Sequence, residues 1–472
     1  MIQPSSKAAY RLMMEGSEAL TDVEENGMRI DVDYLDKVII QTGEKIREME
    51  QTLRSDEVFT VWRKQFGEKA DLGSRHQLGK VIFGCLGVES KKSTKGGKDG
   101  KVSKPSTDIE ALEDVDFPFV RRYLTLEKLK KARSTYLVGL RREVVVVDGV
   151  GLVRPSLNLH LASTFRSSGS DPNLQNQPVR DKRQAKLIRS AFIPRSSDYI
   201  LVEVDYSALE FRGAASFWTD ERMIAYASNP DLDIHRDMAM ECYLLERDQV
   251  SKPARSFAKN QFVFPVLYGS YWGNCAPNLW SQIGRGELKR VDGLDLYEHL
   301  AQKGIDRLGR KKTKTDRGDD GPGTYLNLIR EVEEEFNKKF PTWSEQKDVW
   351  WNQYLERGWF PLSTGFVVCG VFSYNNLMNT PIQGPSFHCL LWSLIQLNKW
   401  LKKYKMKSKI ICEVHDSLIL DVFKPELPDV INQTKKIMTE DVREAWRWIK
   451  TPLGVEIEAS EVNWFLKKPL AI

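Results

Sequence analysis

The chain has 472 residues, and 70 Lys and Arg against 65 Asp and Glu leave a formal net charge of +5. With 41% hydrophobic and 29% charged residues, a wholly disordered chain is excluded, and the length suggests roughly three structural units. So mild a net charge leaves any nucleic-acid role to the placement of the charges. The six Cys, at 85, 242, 275, 369, 389 and 412, form no C-x-x-C pair. That supports neither a zinc ribbon nor a disulfide framework and fits a reducing, intracellular setting. The N-terminus lacks the apolar core of a signal peptide, and no apolar run is long enough to span a membrane. The expectation is a soluble, cytoplasmic protein.

In chain order, Ala19 to Ile30 predicts a helix closing on a Gly-marked turn. Residues 36–65 keep apolar positions at three- and four-residue spacing, which predicts one exposed amphipathic helix. Residues 89–104 hold six Lys and three Gly and almost nothing apolar, as a basic loop does. They complete no phosphate-binding loop, because Gly100-Lys101 is followed by Val102. Residues 122–140 return to a helical pattern rich in Lys and Arg. The VVVVDG segment from Val144 predicts a strand and turn, and residues 156–178 are polar. Tyr199 to Val204 reads as a buried strand ending at Asp205. Residues 220–280 are mostly helical. Residues 285–317 carry ten basic and six acidic residues and predict a surface insertion. Residues 336–360 predict a helix, and Lys409–Val414 and Leu418–Val422 two strands around a tight His415-Asp416-Ser417 turn. No internal repeat is present. Strands that fall late and in pairs predict an α+β fold.

Asp205 ends one apolar strand and Asp416 sits at a hairpin tip. Either aspartate alone is an ordinary strand-end residue. Together they are what a two-metal phosphoryl-transfer site needs, because Mg2+ takes carboxylate oxygens plus substrate phosphates. Arg255 and Lys259 stand at i and i+4, on one helix face without a neighbouring carboxylate, so an anion is expected over them. The apolar run from Phe262 to Gly269 follows, and its aromatics could stack on a base or pack as ordinary core.

SDPNLQNQPVR (170–180), DYSALEFR (205–212), DIHRDMA (233–239), ARSFAKN with LYG (254–269), NTPIQG (379–384) and VHDS (414–417) occur in that order. They closely resemble the polymerase module of family A DNA polymerases, over about residues 19–470. SRHQLGKVIFGCLGV (74–88) and LEKLKKARSTYL (126–137) resemble that family's thumb. The resemblance implies a right-hand architecture of palm, fingers and thumb with an antiparallel palm sheet. Residues 1–30 would form a palm edge, 31–150 the thumb and 151–228 the first part of the palm. Residues 229–372 would form the fingers, with a basic insertion near 285–325, and 373–472 the second part of the palm.

The same resemblance implies residue roles. Asp205, Asp416 and the main-chain carbonyl of Tyr206 would bind two Mg2+ ions, with Mn2+ able to substitute. Arg255, Lys259 and His235 would contact the incoming triphosphate, and Lys259 would protonate pyrophosphate. Phe264 and Tyr268 would lie against the nucleobases, and Glu210 would exclude a ribose 2′-hydroxyl. Arg166, Asn173, Gln175, Asn176, Asn379, Gln383 and His415 would hold the primer–template. The implied activity is template-directed DNA synthesis from dNTPs for replication or repair. The chain would act as a monomer and carry no proofreading exonuclease or 5′-nuclease domain. Its further partners would be a separate exonuclease, helicase or clamp, and its size suggests a phage-type source. The Lys of residues 89–104 would contact duplex phosphates.

Three departures stand out. Ser417 occupies the position of the family's accessory Glu, and Ala208 that of its usual Gln. Tyr268 also lies one residue further from Lys259 than the family pattern allows, so the stacking aromatic falls at Val263 counted forward or Phe264 counted back. One extra residue turns a helix by about 100°. Pro265 lacks an N–H and would clash with the Gln261 carbonyl. A helical bulge near 260–264 is therefore expected, keeping both ends on their faces. A single-subunit RNA polymerase is the rival enzyme, against which Glu210 and SDPNLQN argue. A catalytically silent binder is the rival outside enzymes, supported by Ser417 alone.

Overall fold

Ser6 accepts the Ala9 amide at 3.1 Å and starts helix α1, Lys7–Asn26, which closes on Gly27 at φ +57°. The computed structural model describes residues 2–90, 105–113, 115–164, 166–178, 181–284, 286–311 and 318–470. The basic loop expected to contact phosphates therefore falls almost wholly outside the described residues. The single helix expected over 36–65 is two, α2 (Val32–Arg54) and α3 (Glu57–Phe66). Asp56 breaks it by capping α3, accepting the Val58 amide at 3.0 Å. Phe59 and Trp62 of α3 pack with Val81, Ile82, Phe119 and Tyr123 in a core of their own. Helix α4, Pro118–Lys131, continues through a wide π turn at Ala132–Val138 towards Arg142. Strands β1 (Val145–Val147) and β2 (Val150–Val153) then form a hairpin.

Strand β3 (Tyr199–Tyr206) leads into helices α5 (Leu209–Trp218), α6 (Ile234–Tyr243), α7 (Lys252–Ala258) and α8 (Trp272–Ile283). Helix α9, Leu296–Gln302, lies in the segment read as a surface insertion. That expectation needs correction. Leu288, Leu296 and Leu300 are buried in the main core, and His299 is held by the Leu244 carbonyl at 2.9 Å. Isolated leucines among many charges hid this packing. The helix expected over 336–360 is also divided, into α10 (Tyr325–Lys339) and α11 (Pro341–Arg357), because Pro341 starts a new helix; Trp359–Pro361 is strand.

The 30-residue helix α12, Tyr374–Lys403, supports strands β4 (Lys409–Val414) and β5 (Ser417–Phe423). Strands β6 (Val455–Ser460) and β7 (Lys468–Pro469) complete an antiparallel sheet in the order β4-β5-β3-β6-β7. The α+β class is as expected. On β3, Val202 and Val204 enter the main core while Leu201 enters the core on the opposite face. The two-residue period therefore puts Glu203 and Asp205 on the Leu201 face.

Candidate active site

Asp205 pairs with Ser417 across β3 and β5, and the Tyr206 amide donates to the Asp416 carbonyl at 3.1 Å. Those two contacts bring the aspartates together at one end of the sheet. Val414 and Ser417 are partners, so the turn comprises His415 and Asp416 alone, and Ser417 is strand rather than turn. His415 has φ +60°, in the first position that a two-residue type II′ hairpin gives to glycine. Ala208, three residues beyond Asp205, also has φ +51°. Strained backbone therefore flanks both carboxylates. Ser417 is buried, and its hydroxyl donates to the Val414 carbonyl at 3.1 Å.

Partial burial, then repulsion from Asp416, raises the pKa of Asp205. Burial and Glu210 raise that of Asp416. No ion pair neutralises either carboxylate among the described residues. No group of three or more His, Cys, Asp or Glu is gathered as a metal cage among the described residues either. Two crowded carboxylates without a cage fit a cation that takes its other ligands from main chain, water and phosphate, as Mg2+ does. Sequence reasoning missed Glu456, which pairs with Asp205 from β6 and adds to its repulsion.

Helix α7 starts at Ser251, which accepts the Ala254 amide at 3.3 Å. It then widens: Lys259–Val263 is a π turn in which the Phe264 amide donates to the Lys259 carbonyl. This is the expected bulge. It absorbs the additional residue and removes the demand that Pro265 would place on an α turn. Val263 points into the core with no exposure. Phe264 instead stacks on Tyr268, with centroids 5.8 Å apart and planes 9° from parallel, and Lys259 Nζ lies 5.3 Å from the Phe264 centroid. The His235 ring meets the edge of Phe264 at 5.5 Å.

Asp233 was not singled out in the sequence. It caps α6, accepting the His235 and Arg236 amides at 3.1 and 3.2 Å, and takes the Arg255 guanidinium in a bidentate pair at 2.6 and 3.1 Å. Burial works against the Asp233 carboxylate, but the Arg255 bonds outweigh it and leave the pKa lowered. Its place before a helical run, in DIHRDMA, was the capping signal. His235 is only 3% exposed, and neither ring nitrogen has a partner among the described residues. Burial, then Lys259 and Arg255, pushes its pKa down to about 3 and keeps the ring neutral.

Glu210 is the hub between these groups, accepting from the Arg166 guanidinium and the Tyr268 hydroxyl. Burial and that carboxylate raise the Tyr268 pKa well beyond its usual value, and Gln383 also hydrogen-bonds the Tyr268 side chain. Asn379 lies one turn before Gln383 on α12, its amide oxygen buried without a partner among the described residues. Gln175, expected beside the primer–template, has internal partners. It is buried and donates to Ser167 Oγ at 2.7 Å and Glu413 Oε1 at 2.6 Å, so its amide ties the SDPNLQN segment to β4. Asn173 braces the same segment by accepting the Gln175 and Asn176 amides at 3.0 and 3.1 Å. Burial pushes the Glu413 pKa up to about 7 despite the Ser167 and Gln175 bonds. A cavity of about 750 Å³ lined by Lys128, Lys131, Asn176, Arg189 and His415 opens beside this network.

The model of DNA polymerase family A matches residues 34–290 and 372–465. The chain is 27% identical to DNA polymerase I of Bacillus subtilis (strain 168) over 94% of its length and 44% of that protein's. It is 29% identical to DNA polymerase I of Lactococcus lactis subsp. cremoris, over 96% of the chain and 45% of the relative. It is 31% identical to that of Streptococcus pneumoniae serotype 4, over 85% and 41%. It thus spans under half the length of these relatives. A solved structure, the POL domain of Pol1 from M. smegmatis in complex with DNA primer-template and dNTP, superposes with a TM-score of 0.73 at 21% identity. That match covers 96% of this chain and 70% of the other. No described helix is long and apolar enough to cross a membrane. These relatives are bacterial, and none supports the phage-type source expected from chain size. With its fold matched and more than half its residues inside the family model, this chain belongs to DNA polymerase family A.

Proposed function

We propose that the chain is a template-directed DNA polymerase that adds dNTPs to a primer 3′ end. One arrangement carries the reading: Asp205 and Asp416 side by side, with Lys259 within electrostatic reach of Asp416 and beside the Phe264–Tyr268 stack. The primer 3′-oxygen bonds to the α-phosphorus, and the bond from that phosphorus to the bridging oxygen of the β-phosphate breaks. The electron pair leaves with pyrophosphate, Lys259 gives it a proton, and the 3′-hydroxyl proton passes to solvent. Asp205, Asp416 and the Tyr206 carbonyl would hold Mg2+, or Mn2+ in its place, which when bound neutralises the α-phosphate and acidifies the 3′-hydroxyl.

Arg255 and His235 would hold the phosphates, and Phe264 and Tyr268 would stack against the new base pair. Glu210, pinned by Arg166 and Tyr268, would fill the space that a 2′-hydroxyl needs. Arg166, Asn176, Asn379, Gln383 and His415 would line the primer–template on its minor-groove side, where acceptor positions are nearly the same for every correct pair. Asn173 and Gln175 would act by shaping the loop behind them. Residues 31–150 would serve as thumb, 229–372 as fingers, and 1–30, 151–228 and 373–472 as palm, in a soluble monomer. A separate exonuclease, helicase or clamp would complete the replication machinery.

Extension of a labelled primer–template with Mg2+ and dNTPs tests the reading. Template-dependent extension by the wild type and none by Asp416→Ala is expected. Equal extension by both would overturn the site, and inactivity of the wild type with Mg2+ and with Mn2+ would overturn the function.

A further inference from the structure

A cavity of about 470 Å³ opens beside Ser207 and Ala208, just past Asp205, and reaches Arg212, His235, Arg236, Arg247 and Arg255. Of these four guanidiniums only Arg255 has a carboxylate partner among the described residues, namely Asp233. Arg236 and Arg247 both donate to the same main-chain oxygen, that of Asp231, at 3.4 and 3.2 Å. Arg236 Nε is buried with no partner among the described residues. Arg212 donates from Nε and Nη1 to the Ser207 and Pro452 carbonyls. Asp231 and Glu456 also line the opening, yet neither carboxylate pairs with these cations among the described residues. The buried His235 ring borders the same space with both nitrogens free among the described residues. Like charges converging on one carbonyl repel unless an anion lies between them, and forked guanidinium donors suit phosphate oxygens.

We propose that this cavity receives a diphosphate anion, the pyrophosphate released by each nucleotide addition, and holds it through Arg236 and Arg247 on its way to solvent. The inference rests on the polymerase reading, since that reaction forms the diphosphate within reach of Arg255 and His235. Placing two unneutralised guanidiniums beyond the paired Arg255 draws the product outward and off the site where it could reverse the reaction.

Calorimetric titration of the metal-free and Mg2+-loaded protein with inorganic pyrophosphate, without DNA, tests it directly. Arg236→Gln/Arg247→Gln should bind pyrophosphate about tenfold more weakly than wild type, the loss of one charge-assisted hydrogen bond or more. Unchanged binding would overturn the proposal. The single variant Arg247→Gln, at an exposed position, should show part of the loss and guards against misfolding of the double variant. Single-turnover incorporation then separates the two sources of a diphosphate. The loss of affinity for pyrophosphate should exceed any loss for dNTP; equal losses would put these cations on the bound triphosphate and overturn an exit role. A wild type that binds pyrophosphate but never extends a primer would instead count against the polymerase reading.

Discussion

The amide of Tyr206 donates to the carbonyl of Asp416 at 3.1 Å, so the end of β3 is fastened to the tip of the β4–β5 hairpin. With the pairing of Asp205 and Ser417 along the same ladder, this main-chain bond makes neighbours of two carboxylates that lie far apart in the chain. Because both are held protonated above the usual value of 3.8, the folded metal-free protein carries protons there that the unfolded chain has released. Stability contributed by this pair therefore falls as pH rises above 3.8. Relative to Asp205→Asn, the wild type should lose melting temperature as pH rises in EDTA, and saturating Mg2+ should close the gap. A gap independent of pH would count against the crowded pair.

The register of the finger segment is testable by separating stability from binding. Phe264→Ala should raise the KM for dNTP about tenfold, the loss of one base-stacking surface. Val263→Ala should leave that KM alone and cost about 2 kcal/mol of stability, because it empties a fully buried position. The reverse pattern in kinetics and denaturant melts would mean that the π turn does not set the register.

Glu210 is held by Arg166 and Tyr268 from two sides. Glu210→Ala should open the space beside the sugar and raise incorporation of ribonucleotides at least about tenfold relative to dNTPs. Parallel extension assays with the two nucleotide sets measure it, and an unchanged ratio would free Glu210 of that role.

Gln175→Ala should destabilise the protein by about 2 kcal/mol, since it leaves the buried Glu413 carboxylate short of a donor. A direct primer–template contact would show no such change in a chemical melt, only weaker DNA binding.

His415 holds φ +60° at the hairpin tip. His415→Val should cost about 2 kcal/mol, because a β-branched residue is disfavoured there, whereas His415→Gly should not lower stability. Both should weaken primer–template binding in a fluorescence titration if the imidazole touches DNA.

Much of the site was legible in the sequence because its residues sit in short local patterns. Asp205 follows an apolar strand, Asp416 stands at a turn, and Arg255 and Lys259 share a helix face. Even the π turn could be anticipated, since an added residue and Pro265 cannot both fit a regular helix. The breaks at Asp56 and Pro341 were equally local but were overridden by the apolar period running through them. What no local pattern could supply was partnership. Asp233 with Arg255, Gln175 with Glu413, and Glu456 with Asp205 are pairs between distant segments.

The α+β class, the strand-end aspartates and the basic helix face were determined by the amino-acid sequence by itself, because period, turn chemistry and side-chain charge are properties of neighbours along the chain. Only the tertiary structure decided which carboxylates crowd one another and which cations stay unpaired. Sheet register and helix docking set the distances over which charges act, and those distances depend on contacts between residues remote in sequence.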